Sequence, residues 1–474
     1  MQLDEYSNHD ATSLAELVRA GDVHPRELAA LAIEGCNKVN TELNGVVEIY
    51  DDATEQSDSD GRPLDGVPFL RKDIGATEEG RLVEMGSRLC EGMIAPRDAF
   101  YTVRAKQAGL RFLGRTTTSE MGLHGTTETV AQGATANPWD TAHIAGGSSG
   151  GASAMVAAGV VPMAHASDGA GSIRIPAACN GLVGLKPSRG RVSGGPSLGH
   201  PRVSTELVVS RTVRDTAAAL DALGGDVPGE PFDLGPMPGY SELLGRPPRR
   251  LRIAMSAASP NATVVDPEVV ACIEATAAML EGFGHEIVVA EPDYGYERMR
   301  QTFADLLAIT TTSALPLLAE RFGRPLDESM LEPVTLRWFE RAREMSAFDL
   351  DAALTVCDRI ARRMGLFHQE HDLFLCPVMT GPAPLLGTHG GTQDHLTHEQ
   401  SAELAMTLFP FTPAINMSGQ PAISLPMAIS DAGLPLAAQL VARFGDEATL
   451  LQTAAQLEAE VDWAARRPLV HVAN

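Results

Sequence analysis

The alternation of strand and helix patterns predicts an α/β fold for this chain, and two further observations frame it. Short apolar runs of strand character alternate with longer stretches of helical periodicity along the sequence. Glycine, serine and threonine crowd between apolar runs from Gly122 to Gly195, more than a plain core uses. With 474 residues, the chain is long enough to bury a large core without a disulfide or metal staple.

The elements follow in order. Leu14, Leu17 and Val18 recur at helical spacing, and Pro25 suits a first helical position before Leu28, Leu31 and Ala32. The first 40 residues therefore predict two helices. Gly45 to Ile49 reads as a strand. Asp65 to Leu70 approaches Lys72 as an extended segment, because Pro68 disfavours helix before it. Ala152 to Val160 predicts a helix, and Gly181 to Leu185 a buried strand. Gly224 to Arg250 is rich in glycine and proline and suits a surface connection. Leu251–Met255 and Glu286–Ala290 read as strands flanking a helix from about Pro267 to Gly282. Long helical patterns fill Tyr296 to His368. Ala422–Pro426 and Leu436–Val441 form a strand pair joined by Asp431–Gly433, and a last helix covers roughly Glu447 to Glu458.

Composition excludes several roles. A net charge of -24 argues against nucleic acid or an anionic membrane as partner, since phosphates attract Lys and Arg. Six cysteines lie far apart with no CxxC pair, which reads as reduced thiols in a cytoplasmic protein. The start, Met1 to Glu5, lacks the basic-then-apolar order of a signal peptide. The apolar stretch Gly151 to Ala166 is too short to span a bilayer.

Of 37 basic residues only Lys38, Lys72, Lys106 and Lys186 are lysines. Arginine stays protonated, whereas a buried lysine can act as a base. Lys38 and Lys106 read as ordinary lysines that were simply not replaced by arginine. The densest small-residue cluster is Gly146-Gly147-Ser148-Ser149-Gly150-Gly151. It fails as a P-loop because Ala152 replaces the phosphate-binding lysine. It matches G-x-S-x-G literally, but no buried strand precedes it as a nucleophile elbow requires. Gly169-Ala170-Gly171 begins like a dinucleotide fingerprint, yet Arg174 takes the third glycine's place. What remains is two serine-bearing turns, 148–149 and 168–174. Such turns let backbone N–H groups converge on one point, as an oxyanion hole needs. A serine nucleophile also needs a base, and Lys72 in Arg71-Lys72-Asp73 is the candidate.

These segments, with Gly114–Glu120, Gly133–Trp139, Gly181–Pro187 and Asn416–Ser424, resemble the amidase signature family over nearly the whole chain. The wording around Ser172 and the ending Trp463–Pro468 are most similar to its nylon-oligomer (6-aminohexanoate cyclic dimer) hydrolase branch. The resemblance implies a mixed, twisted central β-sheet covered by helices on both faces. It implies one amidase signature domain over 1–474, with a catalytic core at about 60–200 and variable pocket helices at about 295–400. It also implies a triad: Ser172 as nucleophile, Ser148 as bridging serine behind a cis peptide, and Lys72 as base. The N–H groups of Gly169, Ala170, Gly171 and Ser172 would form the oxyanion hole, supported by Ser149 and Asp168. The family usually has a β-branched residue and two glycines before the nucleophile; this chain has Gly169, Ala170 and Gly171. Arg174 and Lys186 would be structural.

The implied activity is amide C–N hydrolysis through an acyl-enzyme, on aryl or alkyl amides, amide oligomers or carbamates (urethanes). It uses no cofactor or metal, and the chain would be a monomer or homodimer acting on a small molecule. The alternatives are a glutaminase-type amidotransferase subunit and a catalytically silent binding protein. The latter is disfavoured because Lys72, Ser148 and Ser172 are all present. Pocket walls are expected from Gly122–Thr129, Thr302–Leu317, Leu331–Phe339 and Pro382–His398. His389, His395 and His398 suit a lid better than a metal site, and His368 and His371 have ligand-like spacing without further ligands. Trp338 and Phe339 read as core or pocket wall, and Cys179 as a small core residue.

Overall fold

A computed structural model describes residues 1–55, 60–196, 203–232, 234–393 and 395–474. Residues 197–200 of the expected catalytic core and Asp394 of the expected lid lie outside them.

Its strands are β1 (Val46–Ile49), β2 (Pro68–Lys72), β3 (Arg111–Thr116), β4 (Glu128–Thr129), β5 (Gly133–Ala134), β6 (Met163–Asp168) and β7 (Val183–Lys186). They continue as β8 (Thr205–Ser210), β9 (Arg252–Met255), β10 (Glu286–Val289), β11 (Leu373–Pro377), β12 (Ala422–Ile429) and β13 (Pro435–Ala442). Eleven join one sheet in the order β1-β3-β2-β6-β8-β7-β12-β13-β11-β9-β10, and β4 and β5 form a separate hairpin. The sheet is mixed. β2 runs parallel to β3 and β6, while β6, β7 and β12 pair with their other neighbours antiparallel.

Side-chain alternation shows that both faces are covered. On β11, Leu373 and Leu375 join one hydrophobic cluster, while Phe374 and Cys376 join another. The first cluster is built on the helices Pro25–Leu43, Gly150–Ala157, Val213–Leu223, Pro267–Gly282 and Glu447–Val461. The second is built on Tyr296–Thr312, Pro333–Glu344, Ala347–Glu370 and Pro413–Ser418.

Local chemistry sets several boundaries. Asp10 accepts the Ser13 N–H at the start of Ala11–Ala20, and Asp266 accepts that of Glu268 ahead of Pro267. Gly21 ends the former helix at φ 77°, a left-handed position that suits glycine. The two helices expected in the first 40 residues form, preceded by a third of six residues, Leu3–Asn8. The apolar stretch Gly151–Ala166 divides between the helix Gly150–Ala157 and β6. A different stretch, Tyr296–Phe322, is long and apolar enough by composition to cross a membrane, with 44% of its apolar window buried inside the fold. It comprises two helices, Tyr296–Thr312 and Leu315–Phe322, whose Phe303, Leu306 and Leu318 pack into the second cluster.

Because Leu375 is fully buried in a central strand, Leu375→Ala should cost about 2–5 kcal/mol. A lowered urea midpoint at unchanged slope would show it; an unchanged midpoint would contradict this packing.

Candidate active site

β2, β3 and β6 run in one direction, and their carboxyl ends carry the chemistry, where open α/β sheets place ligands. Lys72 is the last residue of β2, wholly buried, and its Nζ donates to Ser148 Oγ at 2.7 Å and Ser167 Oγ at 2.9 Å. Burial pulls the Lys72 amine down to about 7, against the opposing pull of the Glu206 and Asp168 carboxylates.

Ser148 follows a cis peptide from Gly147. Thr118 Oγ1 donates to the Ser148 carbonyl at 2.9 Å, and Thr127 Oγ1 to that of Gly146 at 3.0 Å. A Cβ on Gly147 would sit 2.6 Å from the Thr126 backbone, so only glycine admits this approach. Ser149 precedes the helix Gly150–Ala157, and its Oγ meets both the Ser167 carbonyl and the Ser167 N–H at 3.4 Å. Ser148, Ser149 and Ser167 thus tie the turn at Ser148 to β6.

Asp168 ends β6 and organises the second turn. Its carboxylate accepts the Gly171 N–H at 2.7 Å, Arg174 Nε at 2.9 Å, Arg174 Nη2 at 3.0 Å and Asn416 Nδ2 at 2.8 Å. Burial alone would raise this carboxyl, but the Arg174 guanidinium, with Lys186 and Asn416, holds it well below the usual carboxylate range. The Gly171 N–H, expected among the oxyanion donors, is thereby committed to Asp168. Gly169, Ala170 and Ser172 line the cavity instead. Arg174 also bonds Gln439 Oε1 at 2.8 Å on β13, which fits its expected structural part. Lys186, buried beside this cluster, donates to the Pro187 carbonyl at 2.9 Å, and burial with the Arg174 charge pulls its amine to about 7.

Ser148, Ser167 and Ser172 open onto a cavity of about 450 Å³. All four expected wall segments contribute, among them Leu123, Phe303, Trp338 and His389. Two further walls carried no sequence signal: Val83–Arg97, with Met85 and Met93, and the helix His398–Leu408, with Met406. His389 lines the cavity, whereas His398 opens that helix and packs its ring on Trp338 at 4.8 Å. His368 Nδ1 lies 3.0 Å from the His371 carbonyl, at a helix end. Among the described residues no group of three or more His, Cys, Asp or Glu could hold a metal ion. Cys179 is buried with its Sγ 3.6 Å from Met379 Sδ. Sequence reasoning missed Ser167, His165 and Glu206, whose proximity to Lys72 arises from strand pairing alone.

Known proteins share this architecture. A 6-aminohexanoate cyclic dimer hydrolase solved with its substrate aligns over 98% of this chain and 100% of its own, with TM-score 0.92 and 34% identity. A bacterial aryl acylamidase of the amidase signature family aligns over 97% and 99%, with TM-score 0.86 and 26% identity. The fold is therefore the amidase signature fold. A family model described as amidase matches residues 27–451. The 6-aminohexanoate-cyclic-dimer hydrolase of Paenarthrobacter ureafaciens is 36% identical over 476 residues, covering 97% of this chain and 96% of that protein. The chain belongs to the amidase family, the hydrolases of amide C–N bonds.

Asp168→Asn keeps the side-chain volume but leaves the buried Arg174 charge without its partner. It should destabilise the fold by about 3–5 kcal/mol and abolish turnover. A calorimetric melt unchanged from wild type would contradict the role given to this pair.

Proposed function

We propose that the chain hydrolyses small apolar amides through an acyl-enzyme on Ser172, with Ser148 as proton bridge and Lys72 as base. The observation that carries this reading is the 2.7 Å Lys72 Nζ to Ser148 Oγ hydrogen bond, made by a fully buried lysine beside a cavity that Ser172 also lines. A lysine whose amine falls to about 7 is largely unprotonated in mildly alkaline water and can accept a proton. Ser172 Oγ then attacks the carbonyl carbon while its proton passes through Ser148 to Lys72. The C–N bond breaks as the same route returns the proton to the leaving nitrogen, and water cleaves the resulting ester. The N–H groups of Gly169, Ala170 and Ser172 are the oxyanion donors in this scheme, each contributing roughly 3–4 kcal/mol.

The cavity walls argue for the substrate class. Methionines 85, 93, 121 and 406, with Phe303, Leu307, Trp338 and Phe409, leave a mainly apolar surface that suits aryl or alkyl amides and amide oligomers. Relatives named for a cyclic amide dimer and for aryl acylamides agree with that. A carbamate presents the same carbonyl with one more oxygen, so urethane cleavage belongs to the proposal.

Release of a chromogenic aniline from a short acyl anilide and from the matched carbamate tests the reading. Wild type should turn over both. Ser172→Ala and Lys72→Arg should each lose more than about 10⁴-fold in kcat. Retained turnover in either variant defeats the scheme. Because the base works unprotonated, kcat/KM should rise with pH through about 7; a flat profile across that range would remove Lys72 from the role.

A further inference from the structure

β6 and β8 are antiparallel neighbours, and Ser167 on β6 faces Glu206 on β8 directly. Cross-strand partners point to the same side of a sheet, so Glu206 stands next to the hydroxyl that Lys72 Nζ touches. His165, two residues before Ser167, lies on that side too. Its Nδ1 receives the backbone N–H of Lys72 at 3.2 Å, which requires Nδ1 to be bare and Nε2 to carry the proton. Nε2 then donates to Glu206 Oε2 at 2.7 Å. The imidazole is fully buried and packed against Tyr101 at 4.6 Å between ring centres, so this orientation is fixed from two sides. A Cβ on Gly75 would come within 2.9 Å of Glu206 Oε2, so the turn after β2 presses its backbone on the same carboxylate.

We propose that Glu206 is a positioning residue for the amide hydrolysis: through His165 it fixes the end of β2, and its carboxylate sets the charge balance around the Lys72 amine. The proposal rests on Lys72 being the base. The other charged or titratable groups near the amine are already engaged. Asp168 also acts on the amine but is ion-paired with Arg174, and burial keeps His165 below its ordinary value despite Glu206. Arg71 points elsewhere, to Tyr50 Oη and the Leu82 carbonyl. Glu206, whose partner is the His165 imidazole and not a fixed cation, therefore supplies the larger of the two carboxylate influences on the amine. Without it, burial would draw Lys72 further down, giving a weaker base that is free at lower pH.

Glu206→Gln isolates the charge, because the glutamine carbonyl still accepts from His165 Nε2. The pH profile of kcat/KM should keep its rising limb but shift it toward acid by about one pH unit, with a lowered plateau. Glu206→Asp keeps the charge but withdraws it by one methylene. It should give a smaller shift in the same direction, and it reads the same quantity if the glutamine variant does not fold. Limbs of the folded variants superimposable on wild type, or moved toward alkali, would overturn the proposal. Failure of the Lys72 reading looks different: wild type would then show no rising limb, or Lys72→Arg would stay active.

Discussion

Burying the Lys72 amine at the end of a central strand strips its charged form of hydration, and the surrounding site answers that one constraint. The amine needs hydrogen-bond partners that are not full counter-ions, or it would be locked as ammonium. Ser148 and Ser167 meet that need with hydroxyls at 2.7 and 2.9 Å. Glu206 and Asp168 supply negative charge from farther away, enough to hold the amine near 7 instead of lower. Both hydroxyls sit on backbone that other residues pin, through Thr118 on Ser148 and Ser149 on Ser167. A loose turn at either place would let water reach the amine and return its proton affinity to the ordinary range.

The second organising interaction is the Asp168–Arg174 pair. An isolated buried carboxylate or guanidinium would cost several kcal/mol, so the pair survives only with its hydrogen bonds nearly complete. Asn416 and Gln439 complete them from the far end of the sequence. The turn that carries Ser172 is thereby clamped to the helix Pro413–Ser418 and to β13, elements some 240 residues or more away in sequence. Thr412, whose hydroxyl donates to the Ala170 carbonyl at 2.5 Å, adds another link to that turn.

The sequence carried these relations unequally. Lys72, Ser148, Ser149, Asp168 and Ser172 stand out in it because glycine-rich turns and a scarce lysine are local features, and their order along the chain is distinctive. Helices with clean periodicity, such as Pro25–Leu43 and Pro267–Gly282, were legible for the same reason. β3 and β6 were not. Both are buried on both faces, so no alternation marks them, and β3 carries Arg111 and Arg115, which read as surface residues. Arg115 is nevertheless 5% exposed, neutralised by Asp73, Glu48 and Glu84. Glu206 was invisible because its nearness to Lys72 is made by the pairing of β8 with β6. The commitment of the Gly171 N–H to Asp168 depends on φ 126° at that glycine, which no motif spells out.

The cavity wall has a double allegiance. Phe303, Val334, Trp338 and Met406 line the cavity and also belong to the hydrophobic cluster that joins the outer helices to the sheet. Shaving an aromatic to admit a bulkier substrate therefore removes core volume, with the stability loss that core truncation brings. The methionines escape much of that conflict, since an unbranched thioether refills space by changing rotamer. Evolutionary drift toward new substrates should thus run first through Met85, Met93, Met121 and Met406, with changes at Trp338 or Phe303 following only after stabilising substitutions elsewhere have accumulated.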